Sequence, residues 1–135
     1  YKSDLVLIEG KKVVKRKKVL EGGSVWTIDK FQDHFLVGTA KGNLIAYDKN
    51  LENPEVVYRV HRNAISATAL PNDSQIILGD LKGDLHIWGR DSSVVHYEHS
   101  IEEKVKNTIW WITLTPDNLM RTAYANGQMR TFRLK

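Results

Sequence analysis

Short apolar runs alternate with polar turns along the whole chain, and no stretch shows the 3.6-residue period of a helix. The most regular runs are three segments that begin with glycine and end near an aromatic residue, at 42–48, 83–89 and 127–133. Two further apolar runs precede each of them, separated by a polar turn that is clearest at 71–74. This pattern indicates an all-β protein, and the leading glycines supply the positive φ that tight hairpins need.

The three segments define a repeat of roughly 40–45 residues, which is the spacing of β-propeller blades. Each repeat is predicted to contain four antiparallel strands, the first of which starts at Val25, Ile65 or Ile109. Second strands are predicted at 34–39, 75–79 and 119–123, more polar fourth strands at 55–60 and 93–97, and two earlier strands at 4–10 and 12–20. The chain, 1–135, is thus expected to be a single segment made of a half blade, 1–22, and three repeats, 23–60, 61–103 and 104–135.

The units resemble WD40 repeats. The second is the best match, with His61 four residues before Ile65, then Gly83 and the ending Leu85-His86-Ile87-Trp88. Tyr47-Asp48 and Phe132 stand where the family has Trp-Asp and Trp. The resemblance implies WD40-like propeller blades and a non-catalytic scaffold that binds a partner peptide or protein through its top-face loops and channel rim. The family's aspartate before the turn glycine is replaced by Lys41, Lys82 and Asn126, so we expect stability to rest on apolar packing between blades.

About three blades and a half fall short of the four to eight that close a propeller. An open arc would expose large apolar faces, which soluble monomers rarely do. We therefore expect the segment to be incomplete on its own. The remainder would come from the parent chain, a second chain or self-association.

Trp26, Ser66 and Trp110 occupy the same register, one residue after the first apolar residue of each repeat. The resemblance implies that this position lies near the channel opening, and tryptophan is enriched at binding hot spots. In the alternative, these tryptophans pack between blades. Because neighbouring strand residues point to opposite faces, either Trp110 or Trp111 would point outward, and the sequence does not decide which.

Other candidates are loop residues that would form a mildly basic rim suited to an acidic or phosphorylated peptide. The alternative is that they are ordinary solvated loop residues. They are Lys41, Lys82, Asn126, Arg62, Asn63, Lys106 and Asn107.

The net charge is +4, and six cations lie between positions 11 and 18. This run could bind nucleic acid or acidic lipid, or it could protect an edge strand from unwanted pairing. Its members are Lys11, Lys12, Lys15, Arg16, Lys17 and Lys18.

The composition and the placement of polar residues exclude several kinds of functional site. The absence of cysteine excludes disulfides and cysteine-ligated zinc, and it fits an intracellular protein of the cytoplasm or nucleus. A metal site is not expected at His96, Glu98 and His99, because they lie at the end of an outer strand, where alternate side chains diverge. Asp84 with His86 lacks a third ligand, so we expect no metal and no cofactor.

No nucleophile–His–acid pattern is present, so we expect no catalysis, although the chain could be the non-catalytic half of a propeller enzyme. No apolar run approaches the roughly 20 residues of a membrane helix.

Overall fold

The structure, a computed structural model, describes residues 3–60, 63–73, 75–89 and 105–134. These residues form twelve β-strands and no helix, so this part of the chain contains no helix that could cross a membrane. The strands are β1 (Asp4–Glu9), β2 (Lys12–Lys18), β3 (Val25–Phe31), β4 (His34–Thr39), β5 (Asn43–Asp48), β6 (Glu55–Arg59), β7 (Ile65–Asn72), β8 (Gln75–Asp80), β9 (Leu85–Gly89), β10 (Ile109–Leu114), β11 (Leu119–Tyr124) and β12 (Met129–Arg133).

The strands form four antiparallel sheets that follow the order of the chain. They are the β1-β2 hairpin, sheet I (β3-β4-β5-β6), sheet II (β7-β8-β9) and sheet III (β10-β11-β12). Every strand in a sheet pairs with its neighbour in sequence. The predicted all-β architecture is therefore confirmed, while the strand predicted at 93–97 lies outside the described residues.

The predicted second strand at 34–39 coincides with β4. The predicted turn at 71–74 is partly wrong, because β7 continues through Pro71 to Asn72. Asn72 pairs with Gln75, and its side-chain amide donates to Gln75 Oε1 at 2.9 Å. This pairing extends the hairpin and shortens its connection.

The sheets stack in chain order, with an apolar layer between each pair of neighbours. In β8, for example, Ile76 and Leu78 pack toward sheet I, whereas Ile77 packs toward sheet III. All three side chains are fully buried. A strand covered on both faces needs a continuous apolar run instead of an alternating one, as the sequence of β8 has.

Glycine allows the following sheet to approach the second strand of sheets I and II. A Cβ built on Gly38 would lie 2.8 Å from Ile65 Cγ2, and one built on Gly79 would lie 2.8 Å from Ile109 Cγ2. Both isoleucines are fully buried and begin the first strand of the next sheet. The equivalent position in sheet III is Ala123, as the pairing register shows.

Two apolar faces at the ends of the stack are not covered by described residues. On the hairpin, Val6 and Ile8 are 37% and 59% exposed. On sheet III, Trp111 and Met129 flank Ala123 in one cross-strand row, and both are about two-thirds exposed. Such faces are uncommon on soluble monomers.

Candidate binding cavity on the first strands

The first strands of sheets I, II and III each carry a β-bulge at the same place. In sheet I the pairing advances by two residues on β3 and by one on β4, which makes Trp26 the extra residue. The same step occurs at Ser66 in β7 and at Trp110 in β10. A bulged residue is left out of the ladder and its side chain is re-aimed. The backbone therefore distinguishes the three positions that the sequence places in one register.

These positions line one open cavity of about 320 Å³. Trp26 is 48% exposed and Trp110 is 69% exposed, and neither belongs to the apolar layers between the described sheets. Two indole faces are thus accessible to a ligand. The lining is three consecutive residues from each first strand: Trp26-Thr27-Ile28, Ser66-Ala67-Thr68 and Trp110-Trp111-Ile112.

Side-chain hydrogen bonds connect the three first strands beside this cavity. Thr68 Oγ1 of β7 donates to the carboxylate of Asp29 in β3. Ser66 Oγ lies 2.6 Å from the carbonyl oxygen of Ile109 in β10, to which it donates, and 3.2 Å from that of Gly79. The hydroxyl of Ser66 thus has a structural partner, and the cavity wall is held in place.

Trp110 and Trp111 are both exposed, at 69% and 66%. The bulge at Trp110 interrupts the alternation of the strand, on which the expectation of opposite directions for these two residues rests. Trp111 pairs with the second strand of its sheet at the position where Thr27 and Ala67 pair in sheets I and II. It therefore lies on the open face of sheet III as well as in the cavity wall.

None of the six predicted rim residues that the structure describes lines the cavity. The tight turns at 40–42 and 125–127 lie at the same end of the sheets as the bulges, since Ala40 N donates to Ser24 O and Ala125 N to Thr108 O. Lys41 Nζ donates to the Glu21 carbonyl oxygen at 2.8 Å. The other two turn residues are exposed, namely Lys82 and Asn126, the latter hydrogen-bonded to Gln128 at 2.6 Å.

The described residues just before sheets II and III lie against the preceding tight turn. A Cβ on Gly42 would lie 2.2 Å from the Asn63 carbonyl oxygen, and one on Gly83 would lie 2.9 Å from that of Asn107. Both glycines have positive φ. Asn63 and Asn107 thus form packed loop backbone, Lys106 is exposed, and Arg62 lies outside the described residues.

The predicted basic run is divided between the two faces of the hairpin. Lys15 Nζ lies 2.6 Å from Glu52 Oε1, and Lys17 Nζ lies 3.2 Å from Glu52 Oε2. Hydrogen bonds from these two lysines hold the pKa of the Glu52 carboxyl below its ordinary value. Arg16 lies 3.5 Å from Asp4. The remaining cations are exposed: Lys11, Lys12 and Lys18.

Asp80 is a buried carboxylate, 1% exposed, that no pattern in the sequence indicates. Its Oδ1 accepts from the backbone N–H groups of Lys82 and Asp84, at 2.8 and 3.0 Å. Its Oδ2 lies 2.9 Å from His86 Nε2, and His86 Nδ1 lies 3.1 Å from the Tyr58 hydroxyl of sheet I. A neutral His86 with its proton on Nε2 satisfies both contacts, so the network ties sheet II to sheet I.

Asp80 lies three residues before Gly83. The WD40 resemblance instead implies an aspartate immediately before the glycine, where this chain has Lys82. The positions equivalent to Asp80 in sheets I and III are occupied by Thr39 and Tyr124. An aspartate therefore does not recur at this position, and a comparison of the repeats does not single it out. Within the described ranges, no group of three His, Asp or Glu side chains could hold a metal ion. His96, Glu98 and His99 lie outside them.

No family model and no curated protein matches the chain. Among solved structures, it is similar to the computationally designed Ika4 protein, with a TM-score of 0.65 and 13% identity over 89% of this chain and 71% of Ika4. It is also similar to the extracellular domain of the putative one component system BT4673 from B. thetaiotaomicron, with a TM-score of 0.65 and 18% identity. That match covers 87% of this chain but only 17% of the other. At these identities the likeness concerns the fold alone.

Proposed function

We propose that this chain is part of a WD40-type β-propeller that serves as a non-catalytic scaffold for protein–protein interaction, and that the cavity on the first strands holds the partner. The observation that carries this proposal is the pair Trp26 and Trp110, which share one bulge position and expose their indoles around one cavity. Tryptophan on a rigid backbone loses little entropy on binding and rewards burial of its large apolar face.

Regular stacking supports the propeller part of the proposal. Each of sheets II and III begins with an isoleucine packed over a glycine of the sheet before it. Radial repetition of such sheets is how propellers limit exposed edges. In this proposal the open faces of the hairpin and of sheet III are covered by further blades, from the parent chain, a second chain or self-association.

The test uses peptides selected from a display library on the immobilised protein. Their affinity is measured by fluorescence anisotropy for the wild type and for a Trp26→Ala/Trp110→Ala double variant. Loss of hot-spot tryptophans typically costs at least about 2 kcal/mol, so we expect binding to weaken about thirtyfold or more. Trp26 is about half exposed and Trp110 is mostly exposed, so the variant should remain folded by circular dichroism.

The matched control is Met129→Ala, because Met129 is 67% exposed on sheet III but does not line the cavity. This control should bind the selected peptides like the wild type. Equal binding by the double variant and the wild type would refute the cavity as the site.

Binding of nucleic acid or acidic lipid by the run at 11–18 has weaker support, because Lys15, Arg16 and Lys17 already face acidic groups of the chain. A steep fall in binding with rising salt would favour that alternative. For the propeller-enzyme alternative, the described residues offer no specific observation.

A further inference from the structure

The cavity on the first strands lies along sheet edges that are unsuited to strand addition. In the described residues, β3, β7 and β10 are each the terminal strand of their sheet, so one edge of each has no strand partner there. All three carry a bulge at the same place, at Trp26, Ser66 and Trp110. A bulge disrupts the ladder of main-chain hydrogen bonds and twists an edge away from an incoming strand. A ligand that lies across the cavity is therefore recognised through side chains.

The side-chain donors that remain accessible in the cavity are indole N–H groups. The hydroxyls of Ser66 and Thr68 already donate within the protein, and the Thr27 hydroxyl oxygen is buried. Within the described residues, the indole nitrogens of Trp26 and Trp110 have no hydrogen-bond partner. The cavity thus offers an aromatic surface with donors, and a matching ligand supplies hydrogen-bond acceptors.

The lining of the cavity carries no charge. Its nine residues are tryptophan, isoleucine, alanine, serine and threonine. The carboxylate of Asp29 accepts the Thr68 hydroxyl beside the cavity and opposes an anionic ligand. The net charge of +4 gives no long-range attraction for a cationic ligand. A neutral ligand therefore fits the cavity best.

The two indoles at bulge positions belong to different sheets. Trp26 extends from sheet I and Trp110 from sheet III, with sheet II between them, and the two rings are not in contact. Packed sheets are about 10 Å apart, and six residues of polyproline II extend over about 19 Å, so an extended segment of this length spans two sheet spacings. Trp111 also lines the cavity, but a further blade covers its face of sheet III in the proposed function, so it is not used here.

We propose that the partner occupies this cavity with a proline-rich segment in the polyproline II conformation. The inference rests on the proposed function and names its ligand. Proline rings stack on Trp26 and Trp110, and carbonyl groups of the segment accept from the indole N–H groups. Polyproline II has no internal hydrogen bonds, and proline has no N–H group. Such a segment therefore matches a surface that offers donors and aromatic faces but no regular ladder.

The probe is an uncharged octaproline amide, and its binding to the full chain is followed through the indole N–H signals in ¹⁵N NMR. The chain has four tryptophans, and Trp88 is the internal control. It packs on Phe31 in the layer between sheets I and II, with the ring centroids 5.6 Å apart. We expect saturable shifts of the Trp26 and Trp110 signals, assigned with Trp→Phe variants, and an unchanged Trp88 signal. A glycine–serine peptide of equal length should not bind.

Two substitutions separate the aromatic face from the donor. Trp110→Phe keeps an aromatic ring and removes the N–H group, so we expect octaproline to bind about threefold to tenfold more weakly. Trp110→Ala removes both and should weaken binding at least about thirtyfold. Met129→Ala is the matched control, because Met129 is similarly exposed on sheet III but lies outside the cavity, and it should bind like the wild type. Since the ligand is neutral, added salt should leave its affinity unchanged.

Three results would overturn the proposal: no saturable binding at millimolar octaproline, equal shifts of the Trp88 signal, or equal binding of the glycine–serine peptide. Preferential, salt-sensitive binding of acidic or phosphorylated peptides in the cavity would also overturn it. If peptides selected on the immobilised protein still require Trp26 and Trp110 in any of these cases, the proposed function stands and only the proline-rich ligand is excluded. If no peptide depends on the two tryptophans, the proposed function fails as well.

Discussion

Replacing Gly79 with alanine tests how closely the sheets approach each other. The added Cβ would lie 2.8, 2.9 and 3.1 Å from three atoms of Ile109, which is fully buried. Ile109 cannot move away freely, because its carbonyl oxygen accepts the Ser66 hydroxyl at 2.6 Å. Overpacking of this kind costs about 1–3 kcal/mol, and reduced entropy of the unfolded chain offsets up to about 1 kcal/mol. We expect a net loss of about 1–2 kcal/mol.

The assay is urea unfolding followed by circular dichroism, with free energies from linear extrapolation. Ile109→Ala alone should cost about 2–5 kcal/mol. It also removes two of the three clashing atoms, so Gly79→Ala should cost at least about 0.5 kcal/mol less in that background. Ala123→Gly, at the equivalent position of sheet III, is the control and should change stability by less than about 1 kcal/mol. An unchanged midpoint for Gly79→Ala, or the same cost in both backgrounds, would refute the close approach.

Two further predictions concern polar groups. Glu52 has a lowered pKa in the folded chain, so its ion pairs with Lys15 and Lys17 stabilise above its unfolded pKa and are lost as pH falls through the folded value. Melting temperatures of Glu52→Gln should therefore fall less than those of the wild type between neutral and acid pH, and parallel curves would contradict this. Asp80→Ala leaves three partly buried donors, including His86 Nε2, without their acceptor and should cost about 1–3 kcal/mol in urea unfolding, whereas Asp80→Asn should cost less.

The order of strands could be predicted from sequence because the signals are local. Apolar runs, polar turns and the positive φ of Gly42, Gly83 and Gly127 recur within each repeat, and they predict β4 at its observed bounds. The β-rich architecture follows from these signals. The path of β7 through Pro71 does not, because it depends on the pairing of Asn72 with Gln75.

The candidate site was predictable only in part. The shared register of Trp26, Ser66 and Trp110 is visible in the sequence, but the bulges that re-aim them arise from pairing with the second strands. Residue alternation alone therefore does not describe the step from Trp110 to Trp111. The burial of Asp80 is not predictable for a similar reason, since its partners come from a turn and from His86 on the next strand.

In the proposed function, the three bulges separate the residues that bind a partner from those that hold the sheets together. Since a bulged residue takes no part in the ladder, the side chains at positions 26 and 110 can be exchanged without shifting the strand register. Position 66 is more constrained, because the Ser66 hydroxyl links two strands. In this respect the cavity resembles an antibody binding site, in which variable residues are held on a constant framework. Here the variable positions lie within β-strands and not in loops. A cavity of this design would acquire a different ligand preference through changes at two residues, while the sheets stay as they are.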